Sequence, residues 1–431
     1  MSVLKKVMGE VEVSKDLLLL LTIGGLYALS IALSNSFVNI YLWKQSGELL
    51  DIGIYNLSIV TFQPLTFLLA GKLAKKIDRV VVLRLGVSFL AAFYIAVLVF
   101  GEHAHQFLVL FGAIQGIGAG FYWLAFNVLT FEITEPETRD FFNGFLGILN
   151  SSAGMIGPIV AGVIISTLFR FNGYNIVFGI SLALFVGAVI TSFFLQRRAA
   201  EGHYYLKEVL AERTTNRDWK LVLNAHFFQG LREGTFIFVV SVLVFITTGS
   251  ELALGTFGLV NSAVAFLGYY FVSRLLKKKH RLKAILTGGL ILYASVYLLI
   301  VHLSFVNLIL YAICIAVAYP MLLIPYTSLT YDVIGKCQDV GKKRIEFIVV
   351  RELFLNMGRM TSIIGFIIAV AFFNERISVP VLLAIVGAGH TCIYFFVRHV
   401  SVLKAEQASQ EITQPKAPTP ILNEGDGESP V

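Results

Sequence analysis

Twelve mostly apolar stretches, each long enough to cross a bilayer as a helix, constrain this chain more than any other feature. They run near residues 17–43, 51–70, 80–100, 106–131, 141–168 and 174–196, and again near 220–247, 252–274, 282–303, 306–331, 345–373 and 378–398. A hydrocarbon core of about 30 Å takes roughly 20 residues of α-helix. Lipid offers the backbone no hydrogen-bond partner, so segments of this length must satisfy their own amides as helices. Only 14% of the residues are charged, against about a quarter in a soluble domain. The expected fold is an all-α integral membrane protein of twelve transmembrane helices. The first run, Leu17 to Leu42, is too long for a cleavable leader and reads as the first membrane anchor.

The charges test that count. Lys5, Lys6 and Lys15 place the N-terminus in the cytoplasm, because basic residues are held on that side. Threading twelve helices from there puts nearly all of the 34 Lys and Arg in the tails or in cytoplasmic loops, and the C-terminus on the same side. The exceptions are Lys44, Arg170 and Arg376 in outer loops, and Arg232 and Arg359 inside membrane segments. The net charge of +7 is then a product of topology, which removes nucleic acid as a partner. Residues 1–15 form a cytoplasmic tail, 16–196 and 220–400 two six-helix bundles, and 197–219 a cytoplasmic linker. The linker sequence YYLKEVLAERTTNRDWK has helically spaced apolar residues and fits a short helix on the membrane face. Residues 401–431 are expected to be a disordered cytoplasmic tail, being rich in Pro and acids and poor in large apolar residues. Cys314, Cys337 and Cys392 have no paired spacing and read as small buried hydrophobes, so no disulfide framework, metal site or cofactor is implied.

The two sets of six repeat one another. GKLAKKIDR (Gly71 to Arg79) returns as SRLLKKKHR (Ser273 to Arg281) at an offset of 202, aligning Lys72 with Arg274, Leu73 with Leu275 and Arg79 with Arg281. FNVLTFEI (Phe126 to Ile133) returns as YTSLTYDV (Tyr326 to Val333) at an offset of 200, aligning Glu132 with Asp332. The bundles are therefore pseudo-symmetric duplicates, the arrangement that lets two halves rock about a midplane site.

On these residues the chain resembles the major facilitator superfamily of secondary transporters, over nearly its whole length outside the tails. In that family the loop after the second helix reads roughly GxLADRxGRR, and Gly71, Leu73, Ala74 and Arg79 fit it. Lys75 replaces an aspartate that in the family helps a charge latch hold the outward-facing state, and Asp78 replaces the second glycine. The resemblance assigns gating to Gly71, Asp78 and Arg79, with Asp78 as the acid available to stand in for the missing one. The fourth-helix pattern RxxQGxGA is matched by Gln115, Gly116, Gly118 and Ala119, while its coupling arginine is Gly112 here. Gly116 and Gly120 carry small-xxx-small spacing, which suits close helix packing. In the fifth helix Gly157, Pro158, Ala161 and Gly162 resemble the GPxxGG element of proton-exchanging exporters, a drug-exporter-like branch. A proline kink flanked by glycines suits a gating hinge.

Charges in the hydrocarbon region are costly and mark functional sites by default. On the seventh segment His226, Gln229, Arg232 and Glu233 share one side; on the eleventh Glu352, Asn356 and Arg359 form a stripe at i, i+4, i+7. A carboxyl group at that depth is either paired with a cation or protonated, so Glu233, with Glu352 nearer the cytoplasm, is expected to couple transport to protons. Arg232 and Arg359 leave a surplus of positive charge, one of them meeting an anionic group on the substrate. In the family the first and fourth helices of each half line the cavity, which nominates Tyr27, Ser30 and Ser34, then Gln115, Tyr122 and Phe126, then Tyr319 and Tyr326. Pro320 and Pro325 are expected to kink or break the tenth helix between those tyrosines.

The expected function is transport of a small organic or amphipathic solute by a monomer in a bacterial plasma membrane, with the proton as coupling ion and export favoured. Flipping of a lipid or glycolipid is an alternative that the same cavity would serve. A non-transporting scaffold or sensor would instead bury its midplane charges in static pairs. No GxSxG, HExxH, phosphate loop or dinucleotide glycine pattern supports an enzyme.

Overall fold

The computed structural model describes residues 14–134, 136–169, 171–197 and 202–401. The N-terminal tail before Ser14, residues 198–201 of the linker and the C-terminal tail beyond Ser401 lie outside the described residues. Six helices form the first half: α1 (Lys15–Ser46), α2 (Leu49–Lys76), α3 (Arg79–Phe100), α4 (Leu108–Ile133), α5 (Pro136–Thr167) and α6 (Asn172–Ser192). A linker helix α7 (Leu206–Thr215) follows. The second half holds α8 (Arg217–Thr248), α9 (Glu251–Leu275), α10 (Arg281–Ile300), α11 (Phe305–Gly335), α12 (Val340–Phe372), α13 (Glu375–Gly387) and α14 (Gly389–Val397). Among the described residues twelve spans are long and apolar enough to cross a membrane, α13 and α14 together making the last.

Side-chain caps start the helices where the sequence supplies them: Ser14, Asn216, Ser250 and Ser304 each accept a backbone N–H of the first turn that follows. The first helix of each half ends alike. Gly47 and Gly249, 202 positions apart, close α1 and α8 at φ 74 and 64, a left-handed conformation that glycine adopts without steric cost.

Packing repeats as the sequence does. In the first half α1 lies against α5 and α6, and α4 against α2 and α3; in the second, α8 lies against α12 and α14, and α11 against α9 and α10. The halves meet along two equivalent seams, α5 on α9 and α2 on α12. Each basic loop is pinned the same way: Arg79 pairs with Glu132 at 3.0 Å, and Arg281 with Asp332 at 2.9 Å. The aligned residues of the repeat are thus the two ends of a duplicated ion pair. The end of the bundle that carries these loops is the basic face below.

Two expectations change. Of the kink or break expected of the tenth segment, the break does not occur: α11 runs through Pro320 and Pro325 as one helix. The Ala316 carbonyl, which loses its helical donor to Pro320, faces Gly268 of α9, a neighbour with no side chain to crowd it. The last segment, expected as one helix, turns at Ala388 between Gly387 and Gly389, where Gly389 backs onto the Phe228 carbonyl of α8. The linker helix inserts Val209 into a core shared with Trp219, Ile334 and Phe347, which docks it on the second half.

Candidate functional site

The site begins with a close helix crossing. Gly230 and Gly234 of α8 face Gly358 of α12: a Cβ on Gly230 would strike the Leu355 carbonyl, and one on Gly358 the Phe227 carbonyl. Small residues let the two backbones touch, as in small-xxx-small pairs of membrane helices. That contact brings Glu233 and Arg359 together. Arg359 Nη2 donates to Glu233 Oε2 at 2.7 Å and Nε to the same oxygen at 3.3 Å. Glu233 Oε1 accepts from the Tyr319 hydroxyl at 3.0 Å and from Gln229 Nε2 at 2.8 Å. Gln229 Oε1 lies 2.9 Å from His226 Nδ1, whose other nitrogen lies 3.3 Å from the Thr330 hydroxyl. A continuous polar chain therefore runs along α8 from Thr330 to Glu233. Asn356 supports Arg359 at 3.4 Å, and Glu352 pairs with Arg351 at 2.7 Å.

Two cavities meet at this pair. A central one of about 610 Å³ is lined by Asn35, Arg232, Glu233, Asn261, Tyr311 and Tyr319 among others. A second, of about 430 Å³, lies nearer the basic face and is lined by Gln63, Asn127, His226, Gln229, Thr330 and Glu352. Arg359 lines both, so the Glu233 ion pair stands in the partition between them. The pair is closed, yet open to a cavity.

The aromatic and hydroxyl residues nominated from the first half, Tyr27, Ser30, Ser34 and Tyr122, line neither cavity. Tyr27 stacks on Tyr122 with ring centres 3.9 Å apart, and both point into the bundle. The Ser30 hydroxyl donates to the Ser181 carbonyl at 3.1 Å, and the Ser34 hydroxyl meets Tyr94, which turns that face of α1 toward α3 and α6. Gln115 reaches the central cavity only at second hand, through Asn35 at 3.3 Å and Tyr55. Tyr326 is buried with its ring 4.8 Å from that of His226. Gly112, in place of the family's arginine, packs against Ser58 and the Tyr55 carbonyl in the α2–α4 contact, which leaves no room for a longer side chain. Cavity residues that sequence reasoning missed include Asn35, Asn261, Ser262 and Tyr311; the signal was there in Asn261 and Ser262, a polar pair in the middle of the eighth apolar segment.

Both ends of the halves are tied by charge. At the basic face Lys75 Nζ lies 2.5 Å from Glu346 on α12 and also donates to the Lys342 and His203 carbonyls at 2.6 and 3.0 Å. Glu346 is fully buried and accepts the Tyr205 amide at 2.8 Å, which draws the linker into the same knot. Burial, and then the Glu346 carboxylate, push the phenol of neighbouring Tyr204 above its usual range, so it stays neutral there. Thus the position that carries an acid in the family carries a base here, and its partner on the other half is an acid. Asp78, expected to stand in for that acid, instead caps α3 by accepting the Val80 amide at 2.6 Å, and Arg79 stays within its own half on Glu132. Gly71 lets Tyr204 and Val349 close over α2. At the opposite end Lys44 of α1 pairs with Glu251 of α9 at 2.8 Å, and Tyr174 donates to the same oxygen at 2.9 Å. Gly157 seats against Ala32 of α1, Gly162 against Glu251 and Leu252, and Pro158 against Gly255 and Gly258, so Pro158 and Gly162 lie in the seam of α5 with α9.

A family model of the Major Facilitator Superfamily matches residues 20–341. The chain belongs to that superfamily. It is 60% identical over 429 residues to the uncharacterized protein YqgE of Bacillus subtilis (strain 168), covering 99% of this chain and 100% of that one. It is also 65% identical over 178 residues to an uncharacterized protein in the sodM 3'region of Geobacillus stearothermophilus, covering 41% of this chain and 83% of that sequence. In fold it is similar to the human organic anion transporter MFSD10 (TETRAN), with a TM-score of 0.63 and 14% identity over 89% of this chain and 100% of that one. A bacterial homologue of the iron transporter ferroportin, in an outward-facing state with soaked iron, superposes with a TM-score of 0.63 at 15% identity over 89% of this chain and 99% of that one. Membership of the superfamily, with the twelve spans long and apolar enough to cross a membrane, makes the chain a multi-pass membrane transporter.

Proposed function

We propose that this chain is a proton-coupled secondary transporter of the bacterial plasma membrane that moves a small organic or amphipathic solute by alternating access, as a monomer and with export favoured. The observation that carries the reading is the place of the Glu233–Arg359 pair, on the partition between two cavities that approach it from opposite ends. A membrane carboxyl has two low-cost states, ion-paired and protonated. Exchange between them as the partition opens links proton movement to access, and Gln229 and Tyr319 hold the carboxylate while it is ionised. The basic face is the cytoplasmic one by the distribution of Lys and Arg. Opening inward then breaks Lys75–Glu346 and opening outward breaks Lys44–Glu251, two ties between the halves at opposite ends. The export direction rests on the Gly157, Pro158 and Gly162 element, of which Pro158 and Gly162 meet α9 in the seam where the halves must slide. In proteoliposomes with a pH-sensitive dye inside, a panel of organic solutes should include some that drive saturable proton movement, and Glu233→Gln should abolish it. Proton movement of equal size in the Gln variant removes Glu233 from the mechanism, and none with any solute in the native protein removes the coupling.

A further inference from the structure

This inference rests on the transporter reading of the central cavity and names the chemistry that cavity takes. The acids in the membrane helices of the second half have partners: Glu233 with Arg359, Glu251 with Lys44, Asp332 with Arg281, Glu346 with Lys75 and Glu352 with Arg351. Asp218, at the basic end of α8, accepts from Ser401, and Glu375 is exposed at the start of α13. Arg232 is the buried cation that these pairings leave over. Only 5% of its surface is exposed. Its Nη2 reaches the Tyr311 hydroxyl at 3.4 Å, its Nε has no hydrogen-bond partner among the described residues, and its guanidinium lies 4.5 Å over the Phe236 ring. Behind it, Gly389 packs on its Cβ, and His390 is buried with neither ring nitrogen hydrogen-bonded, so α14 supplies no counter-charge.

A guanidinium held in the membrane interior without a counter-ion is strongly unfavourable unless a ligand completes it. Arg232 lines the central cavity together with Tyr311, and the neighbouring wall is apolar and aromatic at Phe236 and Phe257. The cavity's other guanidinium, Arg359, is already matched by Glu233. One uncompensated positive charge accepts one negative charge; a dianion would leave the second unmatched. We propose that the central cavity binds an organic monoanion, a carboxylate on an aromatic or similarly apolar body. Arg232 and the Tyr311 hydroxyl donate to the carboxylate, and Phe236 and Phe257 face the body.

The test uses the full chain in lipid nanodiscs and three probes of one shape: 2-naphthoate, its neutral amide and the corresponding methylamine. Naphthoate should raise the melting temperature saturably, because a ligand stabilises the state it binds, and the other two should not. Arg232→Gln should remove the rise, while Arg232→Lys keeps part of it, since the charge remains but the planar fork is lost. If Arg232→Gln does not fold, Tyr311→Phe, which leaves the arginine in place, should weaken naphthoate binding about threefold to tenfold. Equal stabilisation by the amide or amine, no rise with naphthoate, or an undiminished rise in a folded Arg232→Gln protein overturns the proposal. Naphthoate binding without solute-driven proton movement would uphold this site and remove the proton-coupled reading. Proton movement driven by uncharged or cationic solutes alone would do the reverse.

Discussion

Replacing Lys75 by glutamate should open the basic face of the protein, and adding Glu346→Lys should close it again. Lys75 and Glu346 have side chains 9% and 0% exposed, and they join α2 of one half to α12 of the other. Removing one partner of a buried ion pair costs about 3–5 kcal/mol, and here a second carboxylate would face the first. An energy of that size shifts a two-state equilibrium by roughly a hundredfold or more. The readout is the rate at which a membrane-impermeant maleimide labels Asn127→Cys, a position lining the cavity on the basic side of the partition, with Cys314, Cys337 and Cys392 replaced. Lys75→Glu should raise the rate at least about tenfold, and the charge-swapped double variant should bring it back toward the native value. An unchanged rate in Lys75→Glu would mean that the tie does not hold this face.

Arg359→Ala should be among the most destabilising single changes in the second half, and Glu233→Gln should rescue it. Without Arg359 the Glu233 carboxylate keeps only the Tyr319 and Gln229 donors. In alkaline buffer, where the carboxyl cannot take up its low-cost proton, stranding the buried charge costs about 3–5 kcal/mol, whereas a neutral amide in the same place strands none. Thermal unfolding in detergent should therefore show a midpoint that falls sharply in Arg359→Ala and recovers in the double variant. If the double variant is no more stable than the single one, the pair does not carry the charge balance of the crossing.

Much of this architecture is legible in the residues alone, for physical reasons that can be named. Bilayer thickness and backbone satisfaction turn apolar length into helices, and the asymmetry of Lys and Arg turns helices into a threading. The duplicated Arg79 and Arg281, with Glu132 and Asp332, show in sequence the two ends of ion pairs that the structure closes. Glu233 and Arg359 stand out because charge in lipid is rare. What could not be read was direction. Serine polarity does not point toward water, since Ser30 and Ser34 satisfy themselves on a neighbouring carbonyl, their own helix and Tyr94. Nor does the sequence show that Lys75 finds its acid 271 positions away, on Glu346, whose segment reads as loop and helix end. The crossing that sets Glu233 against Arg359 depends on Gly230, Gly234 and Gly358, a spacing visible in the chain but meaningful only once the helices that share it are known.

The central claim, that the protonation state of Glu233 sets which face of the protein is open, is tested most directly by distances measured on both faces at once. Spin labels at Lys76 and Lys336 report the basic face, and labels at Glu48 and Glu375 the opposite one; all four positions are exposed, and each pair spans the two halves. On moving from alkaline to acidic buffer, pulsed dipolar spectroscopy should show one distance lengthening while the other shortens, and Glu233→Gln should give the same pair of distributions at both pH values. Distances in the native protein that do not change with pH, or that change equally in the Gln variant, would contradict the account.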